Sequence, residues 1–284
     1  MTHPATHAAT RTAAQPAAVE GLLAWSPRRG LTGPGSADSV PTVGERLAVA
    51  DSWLLRDGRV RGLARHRERF LRACGDSGGP SLRHLVDFWR DITTALPRTG
   101  EWFPRVELGA ESRELRLLLR HAPPLGTGVR VWATGQPDPR TVPRRKGPDL
   151  DILARVRQRA AGAGADEAVL IAPTGVVLEG ATSSVLWWEN DTLCFPSPQL
   201  PVLAGVTLSL IQERAQRTGI RVAHRERVLA DLDGHEVWLV NALHGIRPVT
   251  AWTTGESEPL MRAGRAERAA EWRQWLEDLM EPLQ

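Results

Sequence analysis

Residues 176–188 read VVLEGATSSVLWW, and this stretch decides the fold. An apolar run ends at Glu179, three hydroxyl residues follow at 182–184, and a second apolar run begins at Val185. Short apolar runs bounded by turn residues predict buried strands. The corner between them can place a carboxylate and several hydrogen-bond donors around one anionic, aromatic ligand. A hairpin with a polar turn explains the same pattern.

The segments around this corner predict the rest of a larger unit. Pro148 stands at the first position of a predicted helix that ends near Gly162, and residues 205–217 form another helix that stops at Gly219. Apolar runs alternate with turn residues and predict an antiparallel meander, with strands at 168–172, 176–179, 184–188 and 192–195. Residues 146–284 therefore form a larger mixed β domain with helices.

The preceding residues predict a smaller α+β domain over 20–135. Asp57-Gly58 marks a hairpin, and residues 66–74 and the segment after Ser81 carry apolar residues at helical spacing. Residues 136–145 contain three prolines and predict a linker. Residues 1–19, rich in Ala, Thr, Pro and His, predict a disordered tail. The fold class is thus α+β or α/β, with two domains.

The basic residues are divided very unevenly between two types. Of the 36 Lys and Arg residues, Lys146 is the only lysine, and the chain has no tyrosine. Side-chain amine chemistry can therefore use only Lys146, and every tyrosine-based acid or base is excluded. The net charge of +3 is too small to favour a nucleic-acid partner.

Apolar runs and cysteines bear on where the protein works. No apolar run approaches the roughly 18 residues that cross a bilayer, so no membrane partner is expected. Cys74 and Cys194 form neither a CxxC pair nor a metal-binding pattern. We therefore expect a cytoplasmic protein without a metal site.

Lys146 has a neighbourhood that suits a nucleophilic amine. An amine attacks a carbonyl in its neutral form, and the adjacent cations Arg144 and Arg145 favour that form, as burial does. A solvated basic patch on a linker is the alternative interpretation.

Gly205-Val206-Thr207 begins a predicted helix and suits a phosphate. The first N–H groups of a helix lack partners within it, and the helix dipole and the threonine hydroxyl add to their attraction for an anion. Ordinary helix capping explains the same residues.

Taken in order, these motifs resemble the fold-type IV pyridoxal-phosphate enzymes, which include branched-chain and D-amino-acid aminotransferases and aminodeoxychorismate lyase. The similarity covers most of residues 47–252. It is carried by Asp57-Gly58-Arg59 through Arg72, Lys146, Asp166-Glu167-Ala168, Leu178-Glu179-Gly180, Leu203-Ala204-Gly205-Val206-Thr207, Glu236-Val237-Trp238 and Pro248-Val249.

The resemblance implies roles toward pyridoxal 5′-phosphate. Lys146 matches the lysine that forms the Schiff base and moves the Cα proton, and Glu179 matches the acid that keeps the pyridine nitrogen protonated. Arg72 matches the phosphate-binding arginine. The other implied cofactor-binding residues are Gly205, Val206 and Thr207 at the phosphate, Asn241 and Ala242 beside it, and Thr182 and Ser183 at the cofactor's other edge.

The chain departs from the family pattern at several positions. Ala204 replaces the proline of the family's LPG segment, and Leu208 replaces a frequent arginine after the threonine of the cradle. Arg69 stands where a histidine is common, and Ser184 stands where many members have asparagine. These departures leave cofactor binding in place but do not support the transfer of any one substrate specificity.

Two short features bear on the reaction. The Lys146–Asp149 spacing and Asn241-Ala242-Leu243 look more like aminodeoxychorismate lyase, and this resemblance implies an elimination that gives 4-aminobenzoate and pyruvate. Amino acid transamination, of branched-chain or D-amino-acid type, is the alternative. The substrate is then a small amino acid or an aminodeoxychorismate-like molecule, and the resemblance also implies a homodimer.

Arginines are candidates for binding a substrate carboxylate. Arg105, Arg116 and Arg247 are all eligible, and the resemblance implies that Asp51 and Ser52 approach the substrate from the small domain. A hypothesis of another class is a non-catalytic, arginine-rich binding module that keeps the fold, motivated by the departures at the cradle and by the 35 arginines.

Overall fold

The computed structural model describes residues 20–33, 44–254 and 261–284, so the predicted tail at 1–19 lies outside the described residues. Up to residue 119 the elements are β1 (Gly21–Ser26), β2 (Gly30–Thr32), β3 (Leu47–Ser52), β4 (Leu55–Arg56), β5 (Arg59–Arg61), α1 (Leu63–Asp76), α2 (Leu82–Ala95), β6 (Glu101–Trp102), β7 (Arg105–Gly109) and β8 (Leu115–Leu119).

From residue 129 the elements form the second half of the chain. They are β9 (Val129–Pro137), α3 (Leu150–Gly162), β10 (Glu167–Ile171), β11 (Val177–Gly180), β12 (Ser184–Glu189), β13 (Thr192–Pro196), α4 (Val206–Arg217), β14 (Arg221–Arg225), a short 3₁₀ helix (Leu229–Leu232), β15 (Val237–Asn241), β16 (Gly245–Thr253), α5 (Ala269–Asp278) and β17 (Met280–Pro282).

The first unit packs two helices against a five-stranded antiparallel sheet with the order β2-β1-β8-β7-β3. Helix α1 buries Phe70 and α2 buries Phe88 in the same core, and both predicted helices are confirmed. Ser81 caps α2, since its hydroxyl accepts a hydrogen bond from the backbone N–H of His84. The apolar spacing of each helix thus determines which face meets the sheet.

The second unit contains an eight-stranded sheet with the order β11-β10-β9-β16-β15-β12-β13-β14. The predicted pairs β10–β11 and β12–β13 are antiparallel, but the predicted continuous meander is wrong. Strands β9, β16 and β15 lie between the two pairs, and buried Val131 of β9 packs into one core with residues of β10 and β16. Local patterns identify a strand but not its neighbour in the sheet.

The predicted domain boundaries are corrected at both ends of the second unit. Strand β9 pairs in parallel with β10 and β16, so the boundary lies before Val129 and not at 135, and the predicted linker at 136–145 begins inside β9. At the C-terminus, β17 pairs with β5, in a four-stranded sheet with the order β17-β5-β4-β6. The chain therefore returns to the first unit after α5.

Candidate active site

A cavity of about 360 Å³ lies between the two units. Residues of both units line it, including the corner after β11 and the start of α4. The cavity brings together most of the predicted site residues: Ser52, Arg105, Lys146, Glu179, Thr182, Ser183, Gly205, Val206, Thr207, Asn241 and Ala242. Arg72, Asp51, Arg116 and Arg247 do not line it. It also includes His66, Arg69, Arg120 and Arg140, to which no site role was predicted.

Lys146 is held at the cavity wall by its own backbone. Its carbonyl accepts a hydrogen bond of 2.8 Å from the N–H of Ala50 in β3. The next residue is Gly147, with φ +135°, and a Cβ there would lie 2.8 Å from backbone atoms of Val49 and Ala50. Only glycine allows this close approach. The contact places the lysine of the second unit directly against the first.

The amine of Lys146 is easier to deprotonate than a free lysine. Burial lowers its pKa to about 8, the positive charges of Arg69 and Arg105 act in the same direction, and Asp51 and Glu179 oppose them. Burial was expected to favour the neutral amine, but the predicted neighbours are not the main cations. The side chain of Arg144 instead bonds the carbonyls of residues 198 and 199. Residues distant in sequence therefore supply the charges.

Glu179 is a buried carboxylate at the end of β11. It accepts hydrogen bonds from the guanidinium of Arg140 and, at 3.0 Å, from the N–H of Leu203. Burial raises the pKa of Glu179 to about 7, although Arg140 favours the ionised form. Arg140 also pairs with Asp138 at 2.7 Å. No local pattern singles out Arg140, because it lies in the proline-rich segment that predicts a linker.

Arg69 lies at the cavity where Arg72 was predicted. Arg69 Nε and Nη2 each lie 2.8 Å from an oxygen of Asp51, and Nη1 donates to the carbonyl of Ala204 at 2.9 Å. His66 Nδ1 donates to the same Asp51 carboxylate at 2.8 Å. Burial alone would raise the pKa of Asp51, but Arg69 and His66 hold it far below its ordinary value.

The placement of Arg72 at the cavity is wrong. Its side chain is 68% exposed and pairs with Glu68 one turn earlier on α1. The buried positions of α1 are His66, Phe70 and Cys74. Each residue advances the helix by about 100°, so Arg72 points about 200° away from Phe70. The spacing of His66 and Arg69, three residues apart on one helix face, is the signal that would have identified the correct arginine.

The start of α4 forms the anion-binding part of the cavity. Gly205 precedes the helix, and the first intrahelical bond runs from Ser209 N–H to the Gly205 carbonyl. In the described part of the chain, the N–H groups of residues 206–208 make no backbone hydrogen bond. A Cβ at Gly205 would lie 2.7 Å from the Ser184 hydroxyl, so a larger residue would require the serine side chain to turn. Arg69 reaches the same point through Ala204.

The polar residues of the β11–β12 corner also support the cavity wall. The hydroxyls of Thr182 and Ser183 donate to the buried carboxylate of Glu167. Asn241 donates to the carbonyl of Thr182 at 3.3 Å and accepts the N–H groups of Leu243 and His244. Contacts of these residues with a cofactor remain a prediction.

Among the three arginines considered for a substrate carboxylate, only Arg105 lines the cavity. Arg116 is buried between Glu45 and Glu107, and Arg247 is buried 3.8 Å from Glu167. Arg120 lines the cavity beside Arg105, although no sequence pattern distinguished it.

The chain is similar to known proteins over most of its length. The family model for amino-transferase class IV matches residues 48–252. A bifunctional aminodeoxychorismate lyase / D-amino acid transaminase of Mycobacterium tuberculosis is 32% identical over 234 residues, which cover 69% of this chain and 78% of that protein.

Solved structures share the fold at lower identity. A hypothetical aminotransferase from Mycobacterium tuberculosis in its PLP-bound form has a TM-score of 0.70 at 21% identity, covering 91% of this chain and 98% of that one. A fold IV transaminase from Curtobacterium pusillum has a TM-score of 0.67 at 19% identity, covering 90% of this chain and 96% of that one. The expected fold of type IV is therefore confirmed.

Within the described residues, no helix is long and apolar enough to span a membrane.

The family match and the relative of 32% identity together decide the classification. The chain belongs to the class IV aminotransferase family, whose members are pyridoxal-phosphate-dependent enzymes.

Proposed function

We propose that this protein binds pyridoxal 5′-phosphate in the cavity and uses Lys146 to remove the Cα proton of an amine substrate, in a lyase reaction of the aminodeoxychorismate type. The observation that carries the proposal is the meeting of three groups in one cavity. These are an amine with a pKa of about 8, a buried carboxylate and the open start of helix α4.

The residues present fit the cofactor. Phosphate binding requires N–H donors and positive charge, which the start of α4, Thr207 and Arg69 provide. Glu179 offers a carboxylate to the ring nitrogen, and Arg140 holds that carboxylate from the other side.

Each residue then has a chemical task. When bound, pyridoxal 5′-phosphate supplies an electron-withdrawing ring that stabilises negative charge on the Cα of an attached amine. Lys146 attaches the cofactor through Nζ and later receives the Cα proton at the same atom. Glu179 keeps a proton on the ring nitrogen, which maintains the electron-withdrawing character. Asp51 orients Arg69 toward the phosphate through two hydrogen bonds.

The preference for elimination over transamination rests on sequence features that include Asp149. Asp149 is buried at the cavity wall and accepts hydrogen bonds from Thr141 and Val142, so it fixes the chain that precedes Lys146. The Lys146–Asp149 spacing is one of the two features that favour the lyase. Amino acid transamination is the second candidate, because the relative of 32% identity carries both activities in its name.

One pair of incubations separates the two reactions. Purified protein loaded with cofactor is incubated with aminodeoxychorismate alone, and pyruvate is measured. In parallel it is incubated with L- and D-amino acids plus 2-oxoglutarate, and keto acid is measured. Pyruvate without an acceptor supports the lyase, whereas acceptor-dependent keto acid supports the transaminase. The variant Lys146→Ala is the control, and product formed equally by that variant contradicts both proposals.

We also propose that the protein acts as a homodimer, as the family resemblance implies. Light scattering of the cofactor-loaded protein tests this, and a monomeric mass at micromolar concentration contradicts it.

A further inference from the structure

Arg120 is a cavity arginine whose charge has no carboxylate within ion-pair distance in the described part of the chain. It follows β8 directly, and its Nε donates to the carbonyl of Phe103 at 3.0 Å. Its guanidinium also lies over the Phe103 ring, 4.8 Å from the ring centre. These contacts use one of five N–H donors. Among the described residues, the two terminal nitrogens of Arg120 have no hydrogen-bond partner.

Glu107, the acid whose charge acts on Arg120, already pairs with two other arginines. Glu107 binds Arg105, with Nη2 at 2.6 Å, and it also lies 3.3 Å from Nε of Arg116. Arg105 lies on β7 and Arg116 lies on β8, which pairs with β7. Glu107 therefore pairs directly with two other arginines and acts on the charge of Arg120 only from a greater distance.

The electrostatic surroundings of Arg120 favour a bound anion. Burial lowers the pKa of Arg120, the neighbouring charge of Arg105 lowers it further, and Glu107 acts in the opposite direction without cancelling these effects. A carboxylate would offer a compensating charge and a geometry that matches two guanidinium N–H groups. The contacts with Phe103 fix the guanidinium in advance, which reduces the entropy lost on binding.

We propose that Arg120 binds a carboxylate of the substrate, with Arg105 beside it, and thereby selects carboxylate-bearing substrates at this end of the cavity. The proposal rests on the proposed function, because it assigns substrate recognition to the same cavity. It also distinguishes Arg120 from Arg145, which lines the cavity but, in the part of the chain that the structure describes, has no side-chain contact that fixes its position.

Binding of an unreactive dicarboxylate tests the proposal. Glutarate has two carboxylates and no amine, so it can occupy a carboxylate site without reacting. Its dissociation constant is measured by calorimetry on cofactor-loaded protein at constant ionic strength, and glutaramide, its diamide, is the neutral probe. We expect Arg120→Gln to weaken glutarate binding about 10- to 100-fold, as for the loss of a charged hydrogen bond, and Arg120→Lys to restore part of it.

Two matched variants and one kinetic measurement complete the test. Arg83→Gln, on the exposed face of α2, is expected to bind glutarate as wild type does, and Arg145→Gln is expected to lose less than Arg120→Gln. With the amino substrate of highest turnover, Arg120→Gln is expected to raise KM more than 10-fold while kcat changes less than about threefold.

Three results would overturn the proposal. The first is wild-type protein that does not bind glutarate at 50 mM. The second is an Arg120→Gln variant whose dissociation constant for glutarate lies within twofold of the wild-type value. The third is a larger loss of glutarate affinity in Arg145→Gln than in Arg120→Gln. The absorbance of the lysine-bound cofactor is recorded in every variant. Its absence from wild type contradicts the proposed function, whereas glutarate binding still reports on Arg120, so the two failures are distinguishable.

Discussion

Asp51 and Arg69 form a two-point ion pair at the cavity, with Arg69 Nε and Nη2 each 2.8 Å from an Asp51 oxygen. Asp51 is fully buried, and the Arg69 side chain is only 19% exposed. The pair fixes the direction of Arg69 toward the start of α4. It also leaves the positive charge of Arg69 close enough to Lys146 to lower the pKa of that amine.

Arg69, and not Arg72, is expected to determine cofactor affinity. Arg69→Gln removes the cation beside the start of α4, and we expect the dissociation constant for pyridoxal 5′-phosphate to rise about 10- to 100-fold. Arg72→Gln changes an exposed pair on the same helix and serves as the matched control, with affinity within twofold of wild type. Titration of the absorbance change with cofactor measures both. Equal losses in the two variants would contradict this assignment.

Asp51→Asn is expected to destabilise the fold. It leaves Arg69 without its buried carboxylate, and breaking a buried pair costs about 3–5 kcal/mol of the free energy of unfolding. Because the pKa of Asp51 is lowered in the folded protein, the carboxylate stabilises the fold above its ordinary pKa, and this contribution is lost as pH falls. Urea unfolding from neutral to acidic pH measures both effects. A variant as stable as wild type, with the same acid dependence, would show that the pair contributes nothing.

Lys146→Arg is expected to abolish turnover while keeping the positive charge. Arginine stays protonated at all accessible pH values and cannot form the covalent bond that Lys146 forms. We expect kcat to fall about 1,000-fold or more. Borohydride treatment followed by mass spectrometry should detect a cofactor adduct in wild type and none in the variant. Detection of the adduct on another residue would refute the role of Lys146.

Attachment of the cofactor to Lys146 is expected to depend on pH around 8. Below that value the amine is protonated, so the attachment rate rises with pH and levels off above about 8, the pKa of Lys146. An ordinary lysine would level off only near a pKa of about 10.4. Arg69→Gln removes a cation that lowers this pKa and should move the midpoint upward. Stopped-flow absorbance on cofactor-free protein measures the profile, and a midpoint near the ordinary value would exclude a perturbed amine.

Glu179→Gln is expected to lower kcat more than it lowers the affinity for the cofactor. The amide cannot keep the ring nitrogen protonated, and we expect kcat to fall about 100-fold or more. In wild type the pKa of Glu179 is about 7, so the carboxylate gains a proton as pH falls through that value and activity should decline. Arg140→Met removes a group that favours the ionised form and should move this decline to higher pH. Rates measured at several pH values for wild type and Arg140→Met test this shift. An unchanged profile in Arg140→Met would contradict it.

The sequence alone determined the parts of the site that depend on local chemistry. Lys146 is the only lysine, Glu179 ends an apolar run, and Gly205 precedes a helix; each is recognisable from its immediate neighbours. The structure places all three at one cavity. Helical periodicity similarly predicted α1 and α2, because the spacing of apolar residues reflects which face of a helix is buried.

Tertiary structure alone decided the residues whose role depends on distant partners. Arg69 replaced Arg72 because the docking of α1 determines which helix face meets the cavity. Strand β9 joined the larger sheet because parallel pairing connects segments far apart in the chain. The charges that lower the pKa of Lys146 come from Arg69 and Arg105, not from the adjacent Arg144. Electrostatic interactions act through space, so only the folded chain reveals which charges act on the single lysine.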